Sequence, residues 1–139
     1  MILHLSKRAR TALAKTFREL LDGGEGPATV EVRSGKLPDG ADAAAGGLLL
    51  GILTCSEPCA DDPTDGTLRL SEIEEEKRAR ASGQASWARF KDGDGDTVFD
   101  CDVSGQHGGA MLELNTTAVV ERGPLRIDEF LIEILGSGS

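Results

Sequence analysis

Residues 91–100 read KDGDGDTVFD, with Asp92, Asp94 and Asp96 at alternate positions and Gly93 and Gly95 between them. Three carboxylates this close could chelate a cation, share protons as an acid–base cluster, or solubilise a sharp turn. A calcium loop of the EF-hand type needs oxygen ligands at positions 1, 3 and 5, glycine at 6 and a bidentate glutamate at 12. Counted from Asp92, the sixth position is Thr97 and the twelfth is Val103; counted from Asp94, the fifth is Val98. No helical pattern flanks the stretch. A hairpin turn uses more of the residues, because Asp-Gly supplies the positive φ of a tight turn and both flanks alternate as strands. The stretch is expected as a structural turn at Asp92, Gly93, Asp94, Gly95 and Asp96, and no metal or other cofactor is expected.

The remaining chemical inventory is thin. His4 and His107 are the two histidines, and the glycine-rich GQHGG at 105–109 reads as a surface connection. The chain holds no nucleophile elbow, phosphate-binding loop or H-E-x-x-H. Carboxylate pairs are too numerous for any one of them to signal acid–base catalysis. Cys55 and Cys59 lack the second pair of a zinc framework. Cys101 shares a strand face with Phe99 and Val103 and is expected as a small core residue. Three cysteines, an odd number, read as reduced thiols. Asn115-Thr116-Thr117 fits the glycosylation pattern but has no secretion signal behind it. No catalytic residue is assigned, and an enzyme is not expected.

Charge narrows the partners. The formal net charge of the 139 residues is −9. Five basic side chains (Lys7, Arg8, Arg10, Lys15 and Arg18) against two acidic ones give residues 1–22 a charge of +3, which leaves −12 for the rest. An acidic body does not suit phosphate contacts, so nucleic acid is not an expected partner. No apolar run is long enough to span a membrane, and none is expected as a partner.

The elements that must position these residues follow from periodicity. Apolar side chains at Leu5, Ala9, Leu13, Phe17, Leu20 and Leu21 predict an amphipathic helix over 6–22, with Ser6 as N-cap and Gly23-Gly24 as the stop. That helix either packs on its own domain or lies as an arm on a neighbouring subunit. From residue 28 the period becomes 2. Strands are expected at 28–34, 48–55 (apolar on both faces, hence central), 67–73, 85–92, 97–104, 110–115, 117–121 and 124–134. Residues 35–47 and 56–66 read as loops, and the charged 74–83 as a solvated strand end or a short helical turn. Trp87, Phe90, Phe99, Leu112 and Leu114 are the expected core. A shift of inward parity near Asp128-Glu129 suggests a β-bulge. One helix and about eight strands predict a mainly β fold, an antiparallel β-sandwich of jelly-roll type with one N-terminal amphipathic helix. The expected organisation is a helical arm at 1–24, a sandwich at 25–135 and a flexible tail or tag remnant, GSGS, at 136–139.

Taken in order, ATVEVRSGKLPDGADAAAGGLLLGILTCSEP, ASGQASWARFKDGDGDTVFDCDVS and GGAMLELNTTAVVERGPLRIDEFLIEI resemble a family of small phage and prophage virion proteins. There a strand, a proline-containing loop, an Ala/Gly stretch and "LL..L" precede "sGtAtWfRi.D.dG..v.D..V", and a segment like "leLNst.i..G..v.i..f.i.i" closes the chain. The match covers residues 28–134. It carries over Trp87 and Phe90 in the "WfR" strand, Asp92 with Gly95 in the turn, Asp100 after it, and Leu114-Asn115. It implies a virion structural role without catalytic residues: a capsid decoration or cement protein that binds the major capsid protein or other virion proteins, self-associates as a dimer or trimer, and is made in the bacterial host cytoplasm. A neck or tail accessory protein and a carbohydrate or host-surface binding module are the alternatives. The triplet Glu74-Glu75-Glu76 and the basic helix depart from the family pattern. The helix residues Lys7, Arg8, Arg10, Lys15 and Arg18 are the expected partner-binding set.

Overall fold

The computed structural model describes residues 2–134, apart from the side chains of Asp128 and Glu129. The expected GSGS tail lies outside the described residues. Helix α1 spans Lys7–Leu21. Ser6 caps it by accepting the Ala9 N–H at 3.1 Å, and the Asp22 N–H donates to the Arg18 carbonyl at 2.9 Å before Gly24 turns the chain at φ 91°. Among the described residues ten short strands follow: β1 (Thr29–Arg33), β2 (Leu49–Thr54), β3 (Thr67–Arg69), β4 (Gly83–Gln84), β5 (Trp87–Lys91), β6 (Thr97–Gly105), β7 (Leu112–Leu114), β8 (Ala118–Val119), β9 (Ile127–Glu129) and β10 (Leu131–Glu133). The fold is mainly β with one helix.

Six strands form a curled sheet in the order β2-β1-β5-β6-β7-β9, and β10-β3 and β4-β8 form separate ladders. The sheet is mixed, which corrects the wholly antiparallel expectation: β6 and β7 run parallel, Val103 beside Leu112 and Gly105 beside Leu114. Alternation reports which face a side chain takes, not strand direction, so the sequence could not show this. The short connection folds back along β6 because two β6 side chains hold it. Ser104 Oγ accepts the Ala110 N–H at 3.2 Å, and Asp102 Oδ1 accepts the Met111 N–H at 2.9 Å.

Strand β2 also departs from expectation, lying at the end of the sheet and not its centre. Its outer edge is covered by residues 74–80, which form isolated bridges at Glu74 and Glu76 followed by bends, and no helical turn. Glu74 N–H donates to the Thr54 carbonyl at 2.8 Å, Arg80 N–H to the Leu50 carbonyl at 2.7 Å, and Ile52 N–H to Glu76 Oε2 at 3.3 Å. Covering both faces and the edge explains an apolar run in an edge strand.

The parity shift near residue 129 falls where a β-bulge was expected: Leu114 pairs with Ile127 and Glu113 with Glu129, so Asp128 is the extra residue in β9, and the chain changes ladder just after it. β9 pairs β7, β10 pairs β3, and Phe130 turns inward between them. Its ring lies 4.7 Å from that of Phe90, which stacks at 4.5 Å on Phe99 opposite it in β6. One core joins the helix to every strand but β4: Val30, Val32, Leu53, Phe90, Leu112 and Leu114 are fully buried within it, with Phe99 and Phe17 packed against it.

Candidate functional site

The hairpin expected at 92–96 is present, linking β5 to β6 with Phe90 opposite Phe99 and Arg89 opposite Asp100. Asp92 is the organiser of its tip: Oδ1 accepts the N–H groups of Asp94 and Asp96, each at 3.0 Å, an Asx turn closed by the Asp92 N–H on the Asp96 carbonyl at 2.9 Å. Gly95 takes φ 87°. The tip docks on the linker between α1 and β1, with Gly93 N–H donating to the Gly23 carbonyl at 2.8 Å and Asp94 Oδ1 accepting the Glu25 N–H at 3.3 Å. Two of the three carboxylates are thus engaged with backbone amides. Among the described residues no group of three or more His, Cys, Asp or Glu side chains is placed to hold a metal.

The basic set on α1 divides in two. Lys7 pairs with Asp65 at 3.1 Å, Arg18 with Asp62 and, at 3.9 Å, with Asp22, and Arg10 donates to the Leu5 carbonyl at 3.1 Å beside Gly66. These residues face β3 and the loop before it. Ala14 and Leu21 beneath them are fully buried, and Phe17 meets Phe99 edge-on at 5.9 Å, so the helix packs on its own domain. Arg8 and Lys15 remain on the exposed side, and Leu13 and Leu20, expected on the inner face, are about half exposed.

The other face of the sheet holds a constellation that the sequence analysis missed. Register sets Glu31, Arg89 and Asp100 side by side across β1, β5 and β6. Arg89 grips Asp100 with two hydrogen bonds, Nε to Oδ1 at 2.7 Å and Nη2 to Oδ2 at 3.0 Å, and Nη2 also donates to the Ala43 carbonyl at 2.8 Å. The two side chains are 6% and 7% exposed. Glu31 accepts from Arg33 at 3.1 Å and from Lys91 at 2.9 Å. Burial alone would raise the Glu31 carboxyl, but these two cations outweigh it and hold it below the usual carboxylate range. Trp87 is fully buried on this same face, opposite in sense to Phe90. Its Nε1 donates to the Ser34 carbonyl at 3.1 Å, and the Arg89 guanidinium lies 5.4 Å from its ring. The segment 34–47 is therefore strapped over a buried polar layer. The available signal was parity: Glu31 and Arg33, Arg89 and Lys91, and Asp100 and Asp102 alternate with the core residues on three strands that pair in register.

Asn115 has a comparable internal role, its Oδ1 accepting the Arg126 N–H at 2.8 Å while its own N–H donates to the Arg126 carbonyl at 3.0 Å. Cys55, Cys59 and Cys101 are free and buried, and burial pushes each thiol up to about 12. His107 is exposed in a turn at φ 61°. Among the described residues every buried side-chain nitrogen and oxygen has a hydrogen-bond partner, so the polar layer, with the Ser34 and Ala43 carbonyls above it, leaves none of them unsatisfied. No helix of the described residues is long and apolar enough to cross a membrane. No protein-family model, curated protein or solved structure matches this chain.

Proposed function

We propose that this chain is a non-enzymatic structural protein of a phage virion, a decoration protein that binds the assembled capsid and stiffens it. The observation that carries the reading is what the motif residues do. Each position shared with the small virion proteins has a mechanical task here: Trp87 and Asp100 in the polar layer, Phe90 and Leu114 in the core, Asp92 and Gly95 in the turn, Asn115 as a clamp. A motif used up in holding the fold together suits a protein whose product is a rigid shape. On this reading the two layers, the six-stranded sheet and the smaller ladders joined through Phe130, are a sandwich of jelly-roll type. Its surfaces bridge neighbouring capsid subunits, and repetition over the shell turns modest contacts into large avidity.

The aromatic residues give no support to a sugar-binding module, since Trp87 and Phe90 are buried and Phe17 and Phe99 pack against the core. The test is compositional and spatial. Particles of the phage that encodes the chain, purified on a density gradient, are expected to contain it in fixed ratio to the major capsid protein, with extra density on the outside of the shell. Particles lacking it, or density confined to neck or tail, overturn the decoration reading.

A further inference from the structure

An aspartate followed by glycine can modify its own backbone, because the glycine nitrogen reaches the aspartate Cγ and no Cβ obstructs the approach. The chain holds five such pairs: Asp22-Gly23, Asp39-Gly40, Asp65-Gly66, Asp92-Gly93 and Asp94-Gly95. In four of them both reactants are held. The Gly23 N–H donates to the Leu20 carbonyl at 3.2 Å, Gly66 to Thr11 Oγ1 at 3.1 Å, Gly93 to the Gly23 carbonyl at 2.8 Å and Gly95 to the Asp92 carbonyl at 3.1 Å. Their carboxylates are engaged as well: Asp22 with the Cys59 N–H, Asp65 with Lys7, Asp92 with the Asp94 and Asp96 amides, and Asp94 with the Glu25 N–H. Asp39-Gly40 differs on both counts. Among the described residues the Gly40 N–H meets no acceptor, and a Cβ on Gly40 would meet nothing within 4 Å. The Asp39 side chain is 97% exposed, with Lys36 Nζ 3.9 Å from its Oδ1.

The structure assigns Asp39-Gly40 as the one of the five pairs that isomerises to isoaspartate while the chain is folded. The Gly40 amide nitrogen attacks Cγ of the protonated Asp39 carboxyl and gives up its own proton; the hydroxyl leaves with a proton as water, closing a five-membered succinimide. Water then adds at the Asp39 α-carbonyl and breaks its bond to the ring nitrogen, so that the chain runs on through Cβ and Cγ beside a free α-carboxylate. One water is lost and one gained, and mass, net charge and oxidation state are unchanged. The inserted methylene falls within the segment strapped over the Arg89 layer. That segment is clamped at its ends, Ser34 N–H on the Leu48 carbonyl and Leu48 N–H on Ser34 Oγ, each at 3.0 Å, and tied in its middle by the Ala43 carbonyl to Arg89 Nη2 at 2.8 Å. A backbone lengthened between Ser34 and Ala43 does not fit both ties, so conversion loosens the strap. The modification is independent of capsid binding, so either can fail alone.

The test ages the full chain at mildly acidic pH, native and in denaturant, and maps its peptides with a protease that cleaves before aspartate but not before isoaspartate, electron-transfer fragmentation locating the isomer. In the native chain isoaspartate is expected at Asp39, with the other four pairs at least about tenfold slower, because a hydrogen-bonded amide reacts only when it opens. In denaturant that preference is expected to vanish. Asp39→Glu, whose longer carboxyl would need a six-membered ring, is expected to convert at none of these pairs faster than the parent and to hold its melting temperature on ageing, whereas the aged parent melts lower than the fresh one. Native conversion at any of the other four pairs as fast as at Asp39, no conversion at Asp39 over a period in which the unfolded chain converts there, or a preference that persists in denaturant overturns the assignment. An aged parent that carries isoaspartate at Asp39 and melts as the fresh one does overturns the loosening of the strap.

Discussion

Gly93 sits so close to Gly26 that a Cβ on Gly93 would lie 2.0 Å from the Gly26 carbonyl oxygen. The acidic hairpin and the linker after α1 are thus fitted backbone to backbone, and the helix is located on the domain partly through that contact. Gly93→Ala is expected to destabilise by about 1–3 kcal/mol, the range for forcing an extra methyl into a packed site. Gly40→Ala, where a Cβ meets nothing within 4 Å, is expected to stay within about 0.5 kcal/mol of the parent. Urea unfolding of both variants measures the difference, and equal stabilities would refute the close fit.

What the sequence revealed of this region, and what it hid, has one physical cause. Periodicity places Phe90 and Phe99 on one face and Arg89 and Asp100 on the other, and Asp-Gly marks the turn, because these are properties of a single strand or a single turn. Long-range pairing is not. Nothing local says that β7 lies parallel to β6, that β2 is at an edge under residues 74–80, or that Glu31 of β1 joins Arg89 and Asp100 in one row. The helix shows the same division. Its limits and its Ser6 cap are legible, but which side faces inward is set by β3 and the preceding loop, so Ala14 is buried where Leu13 and Leu20 were expected.

The Arg89 and Asp100 pair is expected to be costly to break and inexpensive to replace. Asp100→Asn leaves a buried guanidinium without its counter-charge, for a loss of about 3–5 kcal/mol. Replacing both together, Arg89→Met with Asp100→Leu, removes the stranded charge and is expected to cost less than Asp100→Asn alone. Equilibrium unfolding of the two variants and the parent checks the order; a double variant less stable than the single one would contradict it.

Glu31 gives the stability a pH dependence of known sign. Its folded carboxyl is held low by Lys91 and Arg33 against the opposing effect of burial. The unfolded chain therefore takes up a proton first as pH falls, and the contribution of Glu31 is present above its unfolded value of about 4.3 and lost as pH falls below it. The stability difference between the parent and Glu31→Gln is expected to be largest near neutral pH and to shrink below about pH 4.3. A difference that does not change over that window would remove the ion-pair explanation.

For α1 the contrast lies between two leucines. Leu21 is fully buried and Leu13 is about half exposed. Leu21→Ala is expected to cost about 2–5 kcal/mol, and Leu13→Ala within about 0.5 kcal/mol. Removal of residues 1–22 would uncover the core around Phe99, so the truncated chain is expected to bind apolar dyes and melt at a lower temperature. A truncated chain with the parent's melting temperature would show that the helix is a free arm after all.

The three thiols set the alkaline limit. Burial, aided by Asp22 for Cys55 and Cys59 and by Asp102 and Asp100 for Cys101, pushes each up to about 12 in the folded chain. An unfolded thiol ionises near 8.5. Above that pH the unfolded state gives up protons that the folded state retains, so stability falls as pH rises, each thiol adding up to about 1.4 kcal/mol per pH unit. The same burial keeps the nucleophilic thiolate scarce. At pH 8 the native chain is expected to react slowly with an alkylating reagent, and denaturant is expected to raise the rate at all three positions together. Rapid labelling of Cys59 alone in the native protein would locate a local opening between α1 and the segment beside it, because Cys59 is buried there with its N–H donating to Asp22 Oδ1 at 2.8 Å and its Sγ 3.9 Å from the Arg18 carbonyl oxygen.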